Sequence, residues 1–279
     1  MTSLNKFVTK MTTSALVMAA IIAAPAAIAA ESAPTSGHLQ TVRIGTMSGP
    51  DADIWNVVKQ QALTHGLDLK ITEFNDYVQP NAALDAGDLD ANGFQHKPFL
   101  DSQVKQRGYK IVSVGLTYVA PLGFYSKKIK SLNELKSGDS VGVQNDPSNE
   151  NRALLLLQAS HVITLRAGAG SNGNSATPLD VVDNPKHIKF VELDAAQLPR
   201  SLDDLSAASI NTDYAVKAGL KVSDAIAHED LRGPYANLIA VRTQDKNKAW
   251  VKPLVASYES PAVKAYIEKT YNGAIIPAF

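Results

Sequence analysis

Thr41-Val42-Arg43-Ile44-Gly45-Thr46 is rich in branched residues, the composition of a β-strand. Ser48-Gly49-Pro50 follows as a helix-start signal, since proline is tolerated in a first helical turn. Ile54, Val57 and Val58 give that helix an apolar face, and Gly66 ends it. Leu67–Phe74 then alternates as a second strand. The pattern continues along the chain. Strand-like runs at 109–116, 140–143, 188–193 and 237–241 interleave with helical runs at 80–86, 98–107, 151–160, 213–218 and 261–271. Alternation of this kind predicts an α/β fold whose sheets are covered on both faces.

Composition narrows the function. The chain has 279 residues, 45% hydrophobic and 19% charged, which is too apolar for a disordered protein. Lysine plus arginine and aspartate plus glutamate number 27 each, so no global positive field gathers phosphates, and no nucleic-acid partner is expected. There is no cysteine, which removes disulfides, thiolate catalysis and thiolate metal sites together. Roughly 240 residues beyond the N-terminal segment exceed one average domain, so two lobes are expected. No internal repeat is present. Residues 167–175, rich in Gly, Asn and Ser, read as a surface loop.

The N-terminal segment reads as an export signal. Lys6 and Lys10 precede an apolar run from Ala15 to Ala24, Pro25 breaks it, and Ala27-Ile28-Ala29-Ala30 supplies small residues for cleavage. The run is shorter than the roughly 20 residues of a membrane span. Cleavage is expected after Ala29 or Ala30, with residues 31–40 as a flexible lead-in. A periplasmic or secreted, soluble protein is the expectation.

Two motifs resemble cofactor or metal sites and fail on context. Gly168-x-Gly170-x-x-Gly173 matches a dinucleotide fingerprint, but Pro178 blocks the helix that should open at its third glycine. Asp88-x-Asp90-x-Asn92-Gly93 copies half of a calcium loop, whose twelfth position should be a bidentate Glu and is Phe99. The six histidines are scattered, with no metalloprotease spacing, and no nucleophile elbow occurs. No cofactor, metal or catalytic residue is expected, and the chain is read as a non-enzyme.

Three stretches concentrate aromatic, Asn and Arg residues: Phe74-Asn75-Asp76-Tyr77, Phe94-Gln95-His96-Lys97-Pro98-Phe99, and Asn145 through Arg152. Each follows a strand-like run, and in open α/β sheets ligands sit beyond the carboxyl ends of strands. Taken singly, Phe94 and Phe99 fit a core, Arg152 a solvated helix face, His96 a helix cap, and Asn211 and Asn237 turns.

These stretches belong to a longer resemblance. FNDY (74–77), GDLDANGFQHKPFLD (87–101), RGYKIVSVG (107–115), NDPSN (145–149), RALLLLQ (152–158), QLPRSLDD (197–204), INTDYA (210–215) and PYANLI (234–239) occur in one order. Together they resemble the NlpA/MetQ family of methionine-binding proteins, which serve ABC importers, from about Val42 to Gly273. The resemblance implies a two-lobe periplasmic binding protein fold of the Venus-flytrap, type II-like kind, with two crossing strands. Lobe I would span 41–120, with helices in 244–279 returning to it, and lobe II 121–243. The crossings would fall near Val119–Tyr125 and Tyr235–Val241.

The same resemblance assigns roles. Arg152 would clamp a ligand carboxylate, Asn211 and Asn237 the amino group, and Asn149 would add a polar contact. Tyr77, Phe94, His96 and Phe99 would line the side-chain pocket. Elementary chemistry fits these roles. A planar guanidinium pairs a carboxylate bidentately, and sulfur–aromatic contacts contribute about 0.3–1.5 kcal/mol. The implied partners are L-methionine or a close analogue and the membrane permease of an ABC importer, and a monomer is expected.

Three positions depart from the family pattern. Its members are mostly lipid-anchored through a cysteine, which this chain lacks, so free diffusion is expected. Phe99 stands where Tyr is common, and Asn151 where Gly is frequent. The last two leave room for a short methionine-containing peptide or another apolar amino acid as ligand. An exported hydrolase or a surface interaction protein would be the readings from other classes.

Overall fold

The computed structural model describes residues 39–171 and 173–279. The expected signal (1–30) and most of the lead-in lie outside them, and Gln40 already begins the first strand. The chain runs β1 (Gln40–Met47), α1 (Pro50–Thr64), β2 (Leu67–Phe74), α2 (Gln79–Ala86), β3 (Ala91–His96), α3 (Lys97–Arg107), β4 (Ile111–Leu116) and β5 (Tyr118–Val119). It continues through β6 (Leu122–Tyr125), β7 (Ser140–Gln144), α4 (Pro147–Ala159), β8 (Thr164–Leu165), β9 (Val181–Asp183) and β10 (Lys189–Leu193). Then come β11 (Ala207–Asn211), α5 (Thr212–Lys217) and β12 (Ala227–His228). The return is β13 (Asn237–Arg242), α6 (Val251–Tyr258), α7 (Pro261–Tyr271) and β14 (Ile276–Pro277).

Two five-stranded sheets share one plan. The first has the order β2-β1-β3-β13-β4 and the second β10-β7-β11-β6-β12. In each, four strands run in one direction and the fourth in order runs antiparallel to both its neighbours. That fourth strand is the one arriving from the other sheet: β13 comes from the second, and β6 from the first. The two-lobe α/β architecture follows from this exchange.

The lobe borders differ from those expected. Asn237–Arg242 is hydrogen-bonded to both β3 and β4, so these residues belong to the first sheet and not to a second lobe ending at 243. Leu122–Tyr125 is likewise paired on both sides, with β11 and β12. A strand held by two neighbours is part of a sheet rather than a crossing. The connections are therefore the shorter stretches 120–121 and 229–236.

Each sheet carries its own core. Trp55, Val58 and Ala62 of α1 pack with Leu254, Tyr258 and Ile267 over the first sheet. Leu154 and Leu157 of α4 pack with Val141 and Val143 over the second. A further apolar cluster joins residues of both sheets: Met47, Phe94 and Phe99 meet Leu198, Ile210 and Tyr214.

Close packing fixes β3, which carries two of the expected site residues. All six of its residues are buried, and their amides are satisfied in a compact network. Asn81 and Gln95 exchange two bonds of 2.7 Å, while Asn92 donates to Asn81 (2.9 Å) and accepts from Gln95 (3.0 Å). Gly93 has no side chain because Trp55 occupies that space: a Cβ there would lie 2.5 Å from Trp55 Cζ2. Gly93→Ala should therefore destabilise the fold by about 1–3 kcal/mol or more, the cost of overpacking a rigid core. A urea midpoint unchanged from wild type would contradict this.

A cleft between the two sheets

The cleft is built from helix starts and strand ends. At β3, His96 leaves the sheet and caps α3, its Nδ1 accepting the Phe99 N–H at 3.1 Å. At β7, Asp146 caps α4 by accepting the Asn149 N–H at 3.0 Å, with Pro147 in the first turn. This capping sets Asn149 and Arg152 on the first turns of α4, earlier than the helix expected from 151. Asn211 ends β11 and Asn237 opens β13.

All eight expected residues line one narrow cavity with about 30 Å³ of free space: Tyr77, Phe94, His96, Phe99, Asn149, Arg152, Asn211 and Asn237. Gln95, Ala120, Pro121, Thr212 and Asp213 complete the lining. Thr212 and Asp213 directly follow Asn211, and Ala120-Pro121 forms one connection between the sheets. Adjacency to Asn211 could have flagged the first two, and the expected crossing near Val119–Tyr125 the others.

One end of the cavity is polar. Asn149 Oδ1 accepts from Arg152 Nη1 (3.1 Å), Asn211 Nδ2 (3.0 Å) and His96 Nε2 (3.2 Å). Because His96 Nδ1 already accepts from Phe99, its proton resides on Nε2 and that nitrogen donates. Asn211 is held in turn by Gln144 Nε2, which donates to its Oδ1 at 2.9 Å. The guanidinium of Arg152 is almost fully buried, 3% exposed, and lies 4.4 Å over the Tyr235 ring. Its charge is met by Glu229, which accepts from Nε at 2.9 Å and Nη2 at 2.5 Å. Glu229 and Tyr235 are far from Arg152 in sequence; Tyr235 lies in the PYANLI stretch quoted above, whereas no local pattern announces Glu229.

The other end is aromatic. Tyr77 lies 5.9 Å from both Phe94 and Phe99 and 4.8 Å from Tyr214, centroid to centroid. Phe94 and Phe99 meet edge to face at 6.1 Å. Such offset and edge geometries are the favourable ones for aromatic rings. Phe94 and Phe99 thus serve the core and the cavity at once.

Burial, and secondarily the Arg152 charge, pushes the His96 imidazole down to about 3. The ring is therefore neutral throughout the physiological range. Nitrogen NMR should show one Nε2–H tautomer from pH 8 to pH 5, and a titration near 6.5 would contradict the geometry. The sign for stability follows. An unfolded chain takes up this proton near pH 6.5 and the folded chain does not, so His96 subtracts stability as pH falls from there toward 3.

Asp213 of the cleft lining interacts with a second buried acid, Asp51. Asp51, at the start of α1, is 1% exposed, and its Oδ2 has no partner. Asp213, at the start of α5, is 5% exposed and accepts from the Tyr118 hydroxyl at 3.2 Å. Burial raises Asp213 to about 6. Asp51 is raised well above the carboxylate range by burial and then by the Asp213 charge.

The two motifs set aside earlier are accounted for. Gly168, Gly170 and Gly173 have φ of +83°, +76° and +81°, and the next helical residues are the short turn Pro178–Asp180. Asp90 is engaged by Arg43, and Gly93 lies inside β3.

The family model of the NlpA lipoproteins matches residues 42–279. The chain belongs to the NlpA lipoprotein family. The D-methionine-binding lipoprotein MetQ of Salmonella typhimurium strain LT2 is 49% identical over 239 residues, covering 84% of this chain and 87% of the relative. A nutrient-binding protein from Burkholderia cenocepacia, solved bound to methionine, is 61% identical with a TM-score of 0.84, covering 85% of this chain and 100% of that one. A periplasmic substrate-binding protein of an ABC transporter from Coxiella burnetii is 50% identical with a TM-score of 0.80, covering 85% and 100%.

Membership in the NlpA lipoprotein family corrects one expectation. The reading of a soluble protein that diffuses freely without a lipid anchor is overturned, because the family and the Salmonella relative are lipoproteins by name. That reading rests on the cysteine count alone. A count of one residue type does not decide where an exported protein resides.

Proposed function

We propose that this chain captures methionine and hands it to the membrane permease of an ABC importer. One observation carries the reading: a single cleft joins a buried guanidinium and three asparagine amides to an aromatic end. An amino acid with an apolar, sulfur-containing side chain matches both ends. Arg152 meets the carboxylate, while the amide oxygens of Asn211 and Asn237 accept from the ammonium. Asn149 holds Arg152, Asn211 and His96 in register through its single oxygen. Tyr77, Phe94 and Phe99 enclose the thioether, with the neutral edge of His96 beside it. The methionine-bound relative at 61% identity supports the ligand.

The site's work is capture rather than turnover. The lobes formed by 40–119 with 237–279, and by 122–228, would close on the ligand about the two short connections. Closure removes water and strengthens each polar contact.

Native mass spectrometry of the purified protein, then calorimetric titration after unfolding and refolding, tests this. Co-purifying methionine with one-to-one rebinding is the expected result. Each enantiomer is titrated separately, since the Salmonella relative is named for D-methionine. Binding of a methionine-containing peptide in preference to free methionine would reassign the ligand. Protein that ignores methionine altogether would overturn the proposal.

A further inference from the structure

We infer that Glu229 is a positioning residue: it turns Arg152 toward the ligand carboxylate and gives the site its preference for a zwitterion over an anion. The inference rests on the methionine-binding function proposed above.

A guanidinium presents more than one edge for paired hydrogen bonds. Glu229 occupies the edge made by Nε and Nη2, at 2.9 Å and 2.5 Å. Nη1 faces Asn149 Oδ1 at 3.1 Å, and Nη2 also faces the Ala120 carbonyl at 3.4 Å. Asn149 and Ala120 both line the cleft, so the edge left by Glu229 is the one turned to the ligand. The Tyr235 ring, its centroid 4.4 Å from Arg152 Cζ, packs over the guanidinium and opposes its rotation.

The same carboxylate reaches further. Its Oε2 accepts the N–H of Leu122 at 2.8 Å, the residue that opens β6 just after the first connection. Glu229 itself begins the second connection. One side chain thus ties both connections to the residue that meets the ligand.

Charge gives the second half of the inference. Arg152 and Glu229 cancel, so the polar end of the cleft has no net charge to offer an anion. A zwitterion brings its own balance. The same molecule without its ammonium would add an unmatched negative charge beside Asp213, which also lines the cleft. With Glu229 neutral, Arg152 is left uncompensated and attracts that anion.

The test compares methionine with its des-amino analogue, 4-(methylthio)butanoate, by calorimetry on wild type and Glu229→Gln. The ratio of the two affinities should fall by at least about tenfold in Glu229→Gln. Glu229→Asp, which keeps the charge, should restore much of the wild-type ratio. A residue that merely supports the fold would weaken both ligands alike and leave the ratio unchanged, and that outcome overturns the inference.

A second measurement needs no variant. In nitrogen-labelled wild-type protein, the Arg152 Nε–H signal should stay in place as methionine is added while the Nη signals move. Loss or displacement of the Nε–H signal would mean that ligand replaces Glu229, which also overturns it. Wild-type protein that binds no methionine overturns this inference and the proposed function together. Wild-type binding with an unchanged ratio in Glu229→Gln overturns the role of Glu229 alone.

Discussion

Arg152→Ala is expected to lower methionine affinity by about thirtyfold to several thousandfold, the span of roughly 2–5 kcal/mol for truncating a buried, hydrogen-bonded charge. Two losses combine. The ligand carboxylate loses its cationic partner inside a cavity where water competes poorly. Asn149, which accepts from Arg152, is also freed from one of its three donors. Calorimetry on stripped and refolded protein measures the effect, and wild-type affinity would remove Arg152 from the proposed site. Stability should fall as well, since Glu229 is 13% exposed and would keep only the Leu122 N–H. Removing one partner of a buried ion pair costs about 3–5 kcal/mol. Adding Glu229→Gln to Arg152→Ala should therefore recover stability without recovering affinity, which separates the two roles.

Asp51→Asn is expected to stabilise the folded protein at pH 7.5 and to leave it nearly unchanged at pH 4. Burial raises both Asp51 and Asp213 above the ordinary carboxylate value of 3.8, with Asp213 brought to about 6. Over that range the folded chain holds protons that the unfolded chain has released. Stability therefore declines as pH rises from about 4 through the titration of the pair. An amide at position 51 removes one of the two mutually repelling charges. The gain at neutral pH should be on the order of 1–3 kcal/mol, the penalty of a buried polar group left unsatisfied. Denaturant unfolding at the two pH values reads it directly. A variant less stable than wild type at both would show that the pair is better matched than its burial implies.

Much of the fold was legible because its signals are local. Leu67–Thr72 alternates apolar with polar, and the strand runs from Leu67 to Phe74 as expected. Pro261–Tyr271 has its capping Ser260, its proline and its left-handed Asn272, and the helix expected there is the helix found. Where polarity and capping competed, the sequence misled. The helix expected from 151 starts four residues earlier, at Pro147, because Asp146 caps it there. Leu122–Tyr125 and Asn237–Arg242 were taken for crossings or second-lobe residues because nothing local says which sheet a strand joins. That choice is made by pairing partners more than 80 residues away for β6 with β11, and more than 120 away for β13 with β4.

The site shows the same division. Its eight expected residues came from stretches of unusual local composition and from family resemblance, and the fold gathers them in one cleft. Glu229 stands 77 residues from Arg152 in unremarkable surroundings, and Asp213, although inside INTDYA, stands 95 residues from its partner Tyr118. Partners of this kind become visible only when the chain is folded.

The exchange of strands between the sheets also orders how the molecule can be made. β13 lies in the interior of the first sheet, between β3 and β4, although it is synthesised after the whole second sheet. Until residues 237–242 emerge, β3 and β4 each have an open edge, and Val241 and Ile239 are missing from the first core. The second sheet needs nothing later than β12 and can be completed first, although chains more often finish from the N-terminus. A chain stopped short of residue 237 would present two unpaired strands to its neighbours, a template for aggregation rather than half of a working protein.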